Sequence, residues 1–224
     1  MRMENSTPGR GIMLEDCKVI DLTKPLGPNT PVFPGDPPPT FPSLASYNEH
    51  GYHLRQIKIT EHTGTHIDAP RHFYPTGQGI DQIPLHELMG PAQVLDLSNV
   101  DKITRKTLEE RISGDPRILS VYTGYSWDHR DPCRNVREFT VDAARFLVEK
   151  GIRVLLVDSP SPDCYPYEVH RILLGNGVYI VENTAGLEKI IDKEPYIVVA
   201  PLKLVDGTGS PARVFALICE QKRT

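Results

Sequence analysis

The chain has 224 residues, 25 basic and 29 acidic side chains, a net charge of −4 and a hydrophobic fraction of 39%. That balance excludes a disordered acidic tail, a collagen-like fibre and a dedicated nucleic-acid binder, which would carry a strong basic excess. The length predicts one domain that buries about 70% of its unfolded surface, so a metal site would serve chemistry rather than folding. No apolar run approaches the roughly 18 residues of a membrane span.

In chain order, residues 1–17 read as a flexible N-terminal extension and 18–224 as the folded domain. The first thirteen residues lack an apolar leader segment, which predicts a cytoplasmic protein. Cys17, Cys133, Cys164 and Cys219 form no CxxC pair and are expected to stay reduced there. A strand is predicted over 18–23. Residues 25–42 hold eight prolines, which forbid helix and inner strand. Val32, Phe33 and Phe41 in that stretch predict an ordered loop packed on the body, where a partner subunit could also dock.

Further strands are predicted at 54–60, 93–97, 118–123, 152–158, 178–182, 196–200 and 212–219. Helices are predicted at 104–112, 140–150 and 166–174, the second capped by Thr140 and closed by Gly151. Strand 152–158 is apolar enough to be buried on both faces. The fold class is therefore α/β: a single domain with a mostly β core, mixed and barrel-like, and a few flanking helices.

Three of the eight histidines fall between positions 62 and 72. Thr63, Gly64 and Thr65 are poor helix formers and Pro70 follows closely, so the segment reads as extended. On a strand, His62, Gly64, His66 and Asp68 share one face, and Gly64 leaves a hollow between the imidazoles. Two neutral nitrogens and a carboxylate suit Zn²⁺, with Mn²⁺ as the other candidate. Glu182, closing an apolar run, and His170, on the third helix, are further candidate ligands. His72, four residues beyond Asp68, suits acid/base work. Thr63 and Thr65 could offer hydroxyls to a substrate.

The segment His62-Thr-Gly-Thr-His66-Ile-Asp68-Ala-Pro-Arg-His72-Phe resembles the signature of the cyclase family of metal-dependent hydrolases, which includes bacterial kynurenine formamidases and isatin hydrolases. Asp21-Leu-Thr-Lys-Pro-Leu, Pro31-Val-Phe-Pro-Gly-Asp36, Asp158-Ser-Pro-Ser-Pro-Asp163 and Asp206-Gly207 through Arg213 are similar to other family segments. The resemblance implies a swivelling β/β/α domain, a homodimer or higher oligomer, and a cytoplasmic enzyme acting on a small-molecule amide. It implies a first metal on His62, His66 and Asp68, a second on Asp68, His170 and Glu182, and His72 as acid/base. The implied substrate is an aryl formamide such as N-formylkynurenine, in tryptophan catabolism, or else an isatin-like cyclic amide or a lactone. Phe33 stands where the formamidases resemble Pro-Val-Trp-Pro-Gly-Asp, keeping an aromatic substrate wall without the indole N–H. Trp127 reads as a lid or specificity element, and His129 beside it as no ligand. Two other classes compete: a non-haem Fe(II) oxygenase using His66, Asp68 and His170 as a facial triad, and a metal-binding protein without turnover.

Overall fold

The computed structural model describes residues 16–127 and 131–219. They form β1 (Cys17–Asp21), β2 (Ser43–Ala45), α1 (Tyr47–His50), β3 (Leu54–Arg55), β4 (His66–Asp68), β5 (Met89–Asp96), α2 (Arg105–Arg111) and β6 (Ile118–Tyr122). The second half adds α3 (Val141–Glu149), β7 (Val154–Val157), α4 (Glu168–Gly175), β8 (Tyr179–Glu182), β9 (Tyr196–Pro201) and β10 (Gly209–Cys219). Of the expected extension 1–17, residues 1–15 lie outside the described residues, and Cys17 opens β1.

One eight-stranded sheet runs in the order β1-β10-β4-β8-β7-β6-β5-β9, and β9 pairs again with β10. That pairing closes seven strands into a barrel-like ring, with β1 added on the free edge of β10. Strands β5 to β8 are parallel neighbours. Each parallel step is made through a helix, as the geometry of a parallel pair requires. The remaining pairings are antiparallel. The α/β class with a mostly β core is what the structure shows.

The alternation of side chains across a strand divides the core in two. Leu119, Val121, Leu155, Val157 and Ile180 face the helices, where they meet Leu108, Phe146, Leu147 and Leu173. Ile118, Val154, Leu156, Tyr179 and Val181 face the barrel interior with Ile67, Ile197 and Val214. Both faces of β7 are buried, as its uninterrupted apolar run predicts. Each such side chain contributes about 1.5–3 kcal/mol on burial.

Three expectations need correction. The strand expected at 54–60 shrinks to Leu54–Arg55, with one isolated bridge between Thr40 and Lys58. Its apolar residues are not a core face: Leu54 is 48% and Ile57 59% exposed. β5 begins at Met89, four residues before the expected start at 93, because Met89–Pro91 pairs with β9 and supplies one side of the ring closure. The cysteines are not free. β1 sets Cys17 opposite Cys219, and the two are disulfide-bonded. Cys133, in the turn Pro132–Asn135, is bonded to Cys164. Their separations of 202 and 31 residues hide both bonds from local spacing. Cysteine usage therefore gives no support to a reducing compartment. Among the described residues no helix is long and apolar enough to cross a membrane.

Candidate metal centre

The centre lies where antiparallel β4 meets β8, the last of the parallel strands. In the β4–β8 register His66 stands opposite Glu182, while Ile67 turns into the barrel. His66 and Asp68 therefore share the face that carries Glu182. Helix α4 packs on β8 and buries Val169, His170, Leu173 and Leu174, which brings His170 down onto that face.

The extended reading of 62–68 holds only for 66–68. Residues 61–65 form turns, and Gly64 takes φ +70°, a left-handed conformation that favours glycine. A Cβ there would meet Leu26 and Thr30 at 3.5 and 3.7 Å, so Gly64 does not line a hollow between imidazoles. Its carbonyl instead accepts from His66 Nδ1 at 2.9 Å.

The donors converge closely. His66 Nε2 lies 3.4 Å from Asp68 Oδ1 and 3.3 Å from Glu182 Oε2. His170 Nε2 lies 3.6 Å from Asp68 Oδ2 and 3.1 Å from Glu182 Oε1. His62 Nδ1 reaches Asp68 Oδ1 at 2.7 Å, and its Nε2 pairs with Thr208 Oγ1 at 3.0 Å. The Thr208 amide and hydroxyl both donate to Glu61 Oε2. His170 Nδ1 is bonded to Asp163 Oδ1 at 2.5 Å. Apart from half-buried His62, these ligand candidates are buried.

Two carboxylates buried this deeply call for positive charge. Burial by itself would lower His66 and His170, but hydrogen bonds and charge from the carboxylates around them outweigh it and raise each to about 10. Burial would likewise raise Asp68, and His62 and His66 instead hold it well below the usual carboxylate range. The chemistry of this donor set fits a divalent cation: it supplies the charge and takes imidazole and carboxylate together.

His72 ends the short helical turn Pro70–His72. Its ring stacks on His62 at a centroid distance of 4.0 Å. The side chain is exposed to solvent at the cleft, with protein packed against part of it. That packing lowers its pKa; Asp68 opposes the shift, and the His62 and His170 charges add to it.

The cleft above the donors has a volume of about 370 Å³, within the range of small-molecule sites. Phe33, Phe73, Trp127 and Tyr167 supply its aromatic walls. Asp158 holds the loop that carries Trp127, accepting from the Thr123 amide at 2.9 Å, the Thr123 hydroxyl at 2.6 Å and the Tyr125 amide at 3.1 Å. Thr63 and Thr65 are not brought to the cleft. The Thr63 hydroxyl meets Thr60, and Thr65 Oγ1 accepts from the Lys24 amide and donates to the Asn183 carbonyl. His129 lies outside the described residues. Phe73 and Tyr167 were not singled out from sequence; the signal for each is its place near a candidate His, Phe73 directly after His72 and Tyr167 three residues before His170.

A family described as "Putative cyclase" matches residues 20–164. A kynurenine formamidase of Bacillus cereus is 34% identical over 199 residues, covering 87% of this chain and 94% of the relative. The chain belongs to the cyclase family of metal-dependent hydrolases. Solved structures share its fold, two of them as follows. Isatin hydrolase A from Labrenzia aggregata, bound to benzyl benzoate, is 28% identical at a TM-score of 0.79, covering 92% of this chain and 95% of that one. A protein titled a potential metal-dependent hydrolase with cyclase activity is 30% identical at a TM-score of 0.76, covering 92% of this chain and 100% of that one. This cyclase-family chain is a metal-dependent amide hydrolase. The family match ends at residue 164, short of His170 and Glu182.

Proposed function

We propose that this cyclase-family enzyme hydrolyses aryl amides at a centre where His62, His66, Asp68, His170 and Glu182 would hold two divalent ions. The observation that carries this is the split of each carboxylate. One oxygen of Asp68 and one of Glu182 face His66, and the other oxygen of each faces His170. Ligand bonds of about 2.0–2.2 Å at tetrahedral angles put donor atoms roughly 3.3–3.6 Å apart. Three of these four spacings lie at 3.3–3.6 Å and the fourth at 3.1 Å, whereas His62 Nδ1 stands at hydrogen-bonding distance, 2.7 Å, from Asp68. His62, His66 and both carboxylates would hold one ion, and His170 with both carboxylates the other. Three imidazoles in the set favour Zn²⁺ over Mn²⁺. Five donors also exceed the two-His, one-carboxylate triad of an Fe(II) oxygenase, so that reading is set aside.

A divalent ion held there supplies Lewis acidity, polarising a carbonyl and lowering the pKa of water. The chain's own residues do the rest. His72, held below its usual pKa, is neutral near pH 7 and can take a proton from the attacking water. It then gives that proton to the departing nitrogen. The aromatic walls hold the aryl group while the carbonyl faces the donors. The names of the Bacillus cereus relative and the Labrenzia aggregata neighbour point to an aryl formamide and to a cyclic amide. Exposed Leu44, Tyr47, Tyr52, Leu54 and Ile57 along β2, α1 and β3 support the homodimer, since clustered apolar surface marks a contact face.

The test is metal content by plasma mass spectrometry on protein purified without chelators, beside turnover of an aryl formamide and an isatin-like lactam. About two ions per chain, falling to about one in His170→Ala, with hydrolysis of either amide, is the expected result. A single ion indifferent to His170 would refute the two-ion centre. Phe33→Ala is expected to raise KM about 10-fold for an aryl substrate with little change in kcat, because a lost aromatic contact weakens binding without touching the reacting atoms. Steady-state kinetics on the same two substrates reads it.

A further inference from the structure

We propose that Asp163 is a positioning residue that sets the tautomer of His170 and so creates the second metal position; this rests on the two-ion reading above. Asp163 is 5% exposed. Its Oδ1 lies 2.5 Å from His170 Nδ1, and its Oδ2 accepts from the Val169 amide at 2.7 Å. An ionised carboxylate only accepts, so His170 Nδ1 must be the donor. That leaves Nε2 to offer its lone pair on the side where Asp68 and Glu182 stand. His66 is oriented by a neutral backbone carbonyl, whereas His170 has a charged partner, which also makes a ligand more basic.

The Asp163 carboxylate is itself fixed in place. The neighbouring Pro162 carbonyl accepts from the Phe139 amide at 2.9 Å. The Cys164 amide donates to Glu138 Oε1 at 3.2 Å, and Cys164 is bonded to Cys133. The segment is therefore tied at both flanks of Asp163.

A helix-capping role alone predicts something different from a positioning role, and Asp163→Asn separates them. The Val169 amide demands an oxygen at the Oδ2 position. The Asn NH₂ then faces His170 Nδ1, which must accept, and the ring proton moves to Nε2, where the ion needs a lone pair. For a cap alone, Asn would be harmless and Asp163→Ala harmful. For positioning, both variants lose the ion.

The experiment is a Zn²⁺ titration of chelator-stripped protein against a competing chelator, with the Tm of the stripped forms and long-range proton–nitrogen NMR of the imidazoles. Asp163→Asn is expected to weaken the His170-dependent ion about 10–100-fold and to keep the stripped Tm close to wild type, while the zinc-loaded wild type is expected to hold the His170 proton on Nδ1. Wild-type affinity for both ions in Asp163→Asn would overturn the proposal. His170→Ala is titrated in parallel. If it loses one ion while Asp163→Asn loses none, Asp163 does not position the ligand and the two-ion reading stands. If the wild type binds a single ion and His170→Ala keeps it, the two-ion reading fails and Asp163 falls with it.

Discussion

Replacing His72 by Ala is expected to lower kcat by about 10²–10⁴-fold, the usual contribution of a general acid/base, and to leave bound metal unchanged. The ring sits at the open end of the donor group, stacked on His62 at 4.0 Å and edge-on to Phe73 at 4.7 Å. Among the described residues it has no carboxylate partner within ion-pair distance, unlike His62, His66 and His170. A ligand is consumed by its ion, and a proton carrier must stay free to exchange. The His72 pKa below the usual imidazole value favours the proton-accepting form at neutral pH. The alternative is sterically available, since His62, Asp68 and His72 offer donor atoms within 4.8 Å of one another. Metal analysis of the variant decides between them. Lost metal would move His72 into the ligand set, and unchanged kcat would remove its acid/base role.

Stripping the metal is expected to abolish hydrolysis and to reverse how stability responds to base. His66 and His170 are raised to about 10 without an ion. Each folded-state value lies above the ordinary value of about 6.5, so the stabilisation is complete below about pH 6.5 and is lost as pH rises toward 10. Stripped protein should therefore lose Tm over that window, as two buried carboxylates are left without positive charge. In loaded protein the ion replaces the protons and binds more tightly as they leave. The Tm gap between loaded and stripped forms should widen from about pH 6.5 to 9.5. Calorimetry at several pH values checks this, and a gap that narrows with rising pH would contradict it.

The legible part of the site was the part written locally. His62, His66, Asp68 and His72 lie within eleven residues, and spacing alone pointed to a metal-binding cluster. In the residues themselves His170 and Glu182 stand out only as oddities of an apolar helix and strand, and it is the family resemblance that groups them with Asp68, because their meeting depends on the β4–β8 register and on the seat of α4. The helices read well, since α3 and α4 carry clear apolar periodicity and Thr104 caps α2. Leu54–Thr60 read as a strand because β propensity reports composition and not burial. The disulfides were illegible for a different reason: Cys17 and Cys219 meet through the pairing of β1 with β10, 202 residues away in sequence. Thr63 and Thr65 looked like substrate contacts because a hydroxyl in a motif does not show which way it faces.

The cleft draws its parts from two kinds of structure. The donors stand chiefly on β4, β8 and α4, whose backbones are locked by the ring of strands and the helix layer. The walls stand largely on connecting segments, Phe33 in the Pro-rich loop and Trp127 and Tyr167 in loops beyond parallel strands. Selection can therefore trade one substrate for another by rewriting loops, which tolerate change, while the hydrolytic chemistry is inherited intact. Divergent specificities on one unchanged reaction are the lineage such a division favours, and a loop-exchange library is the natural way to retrace it.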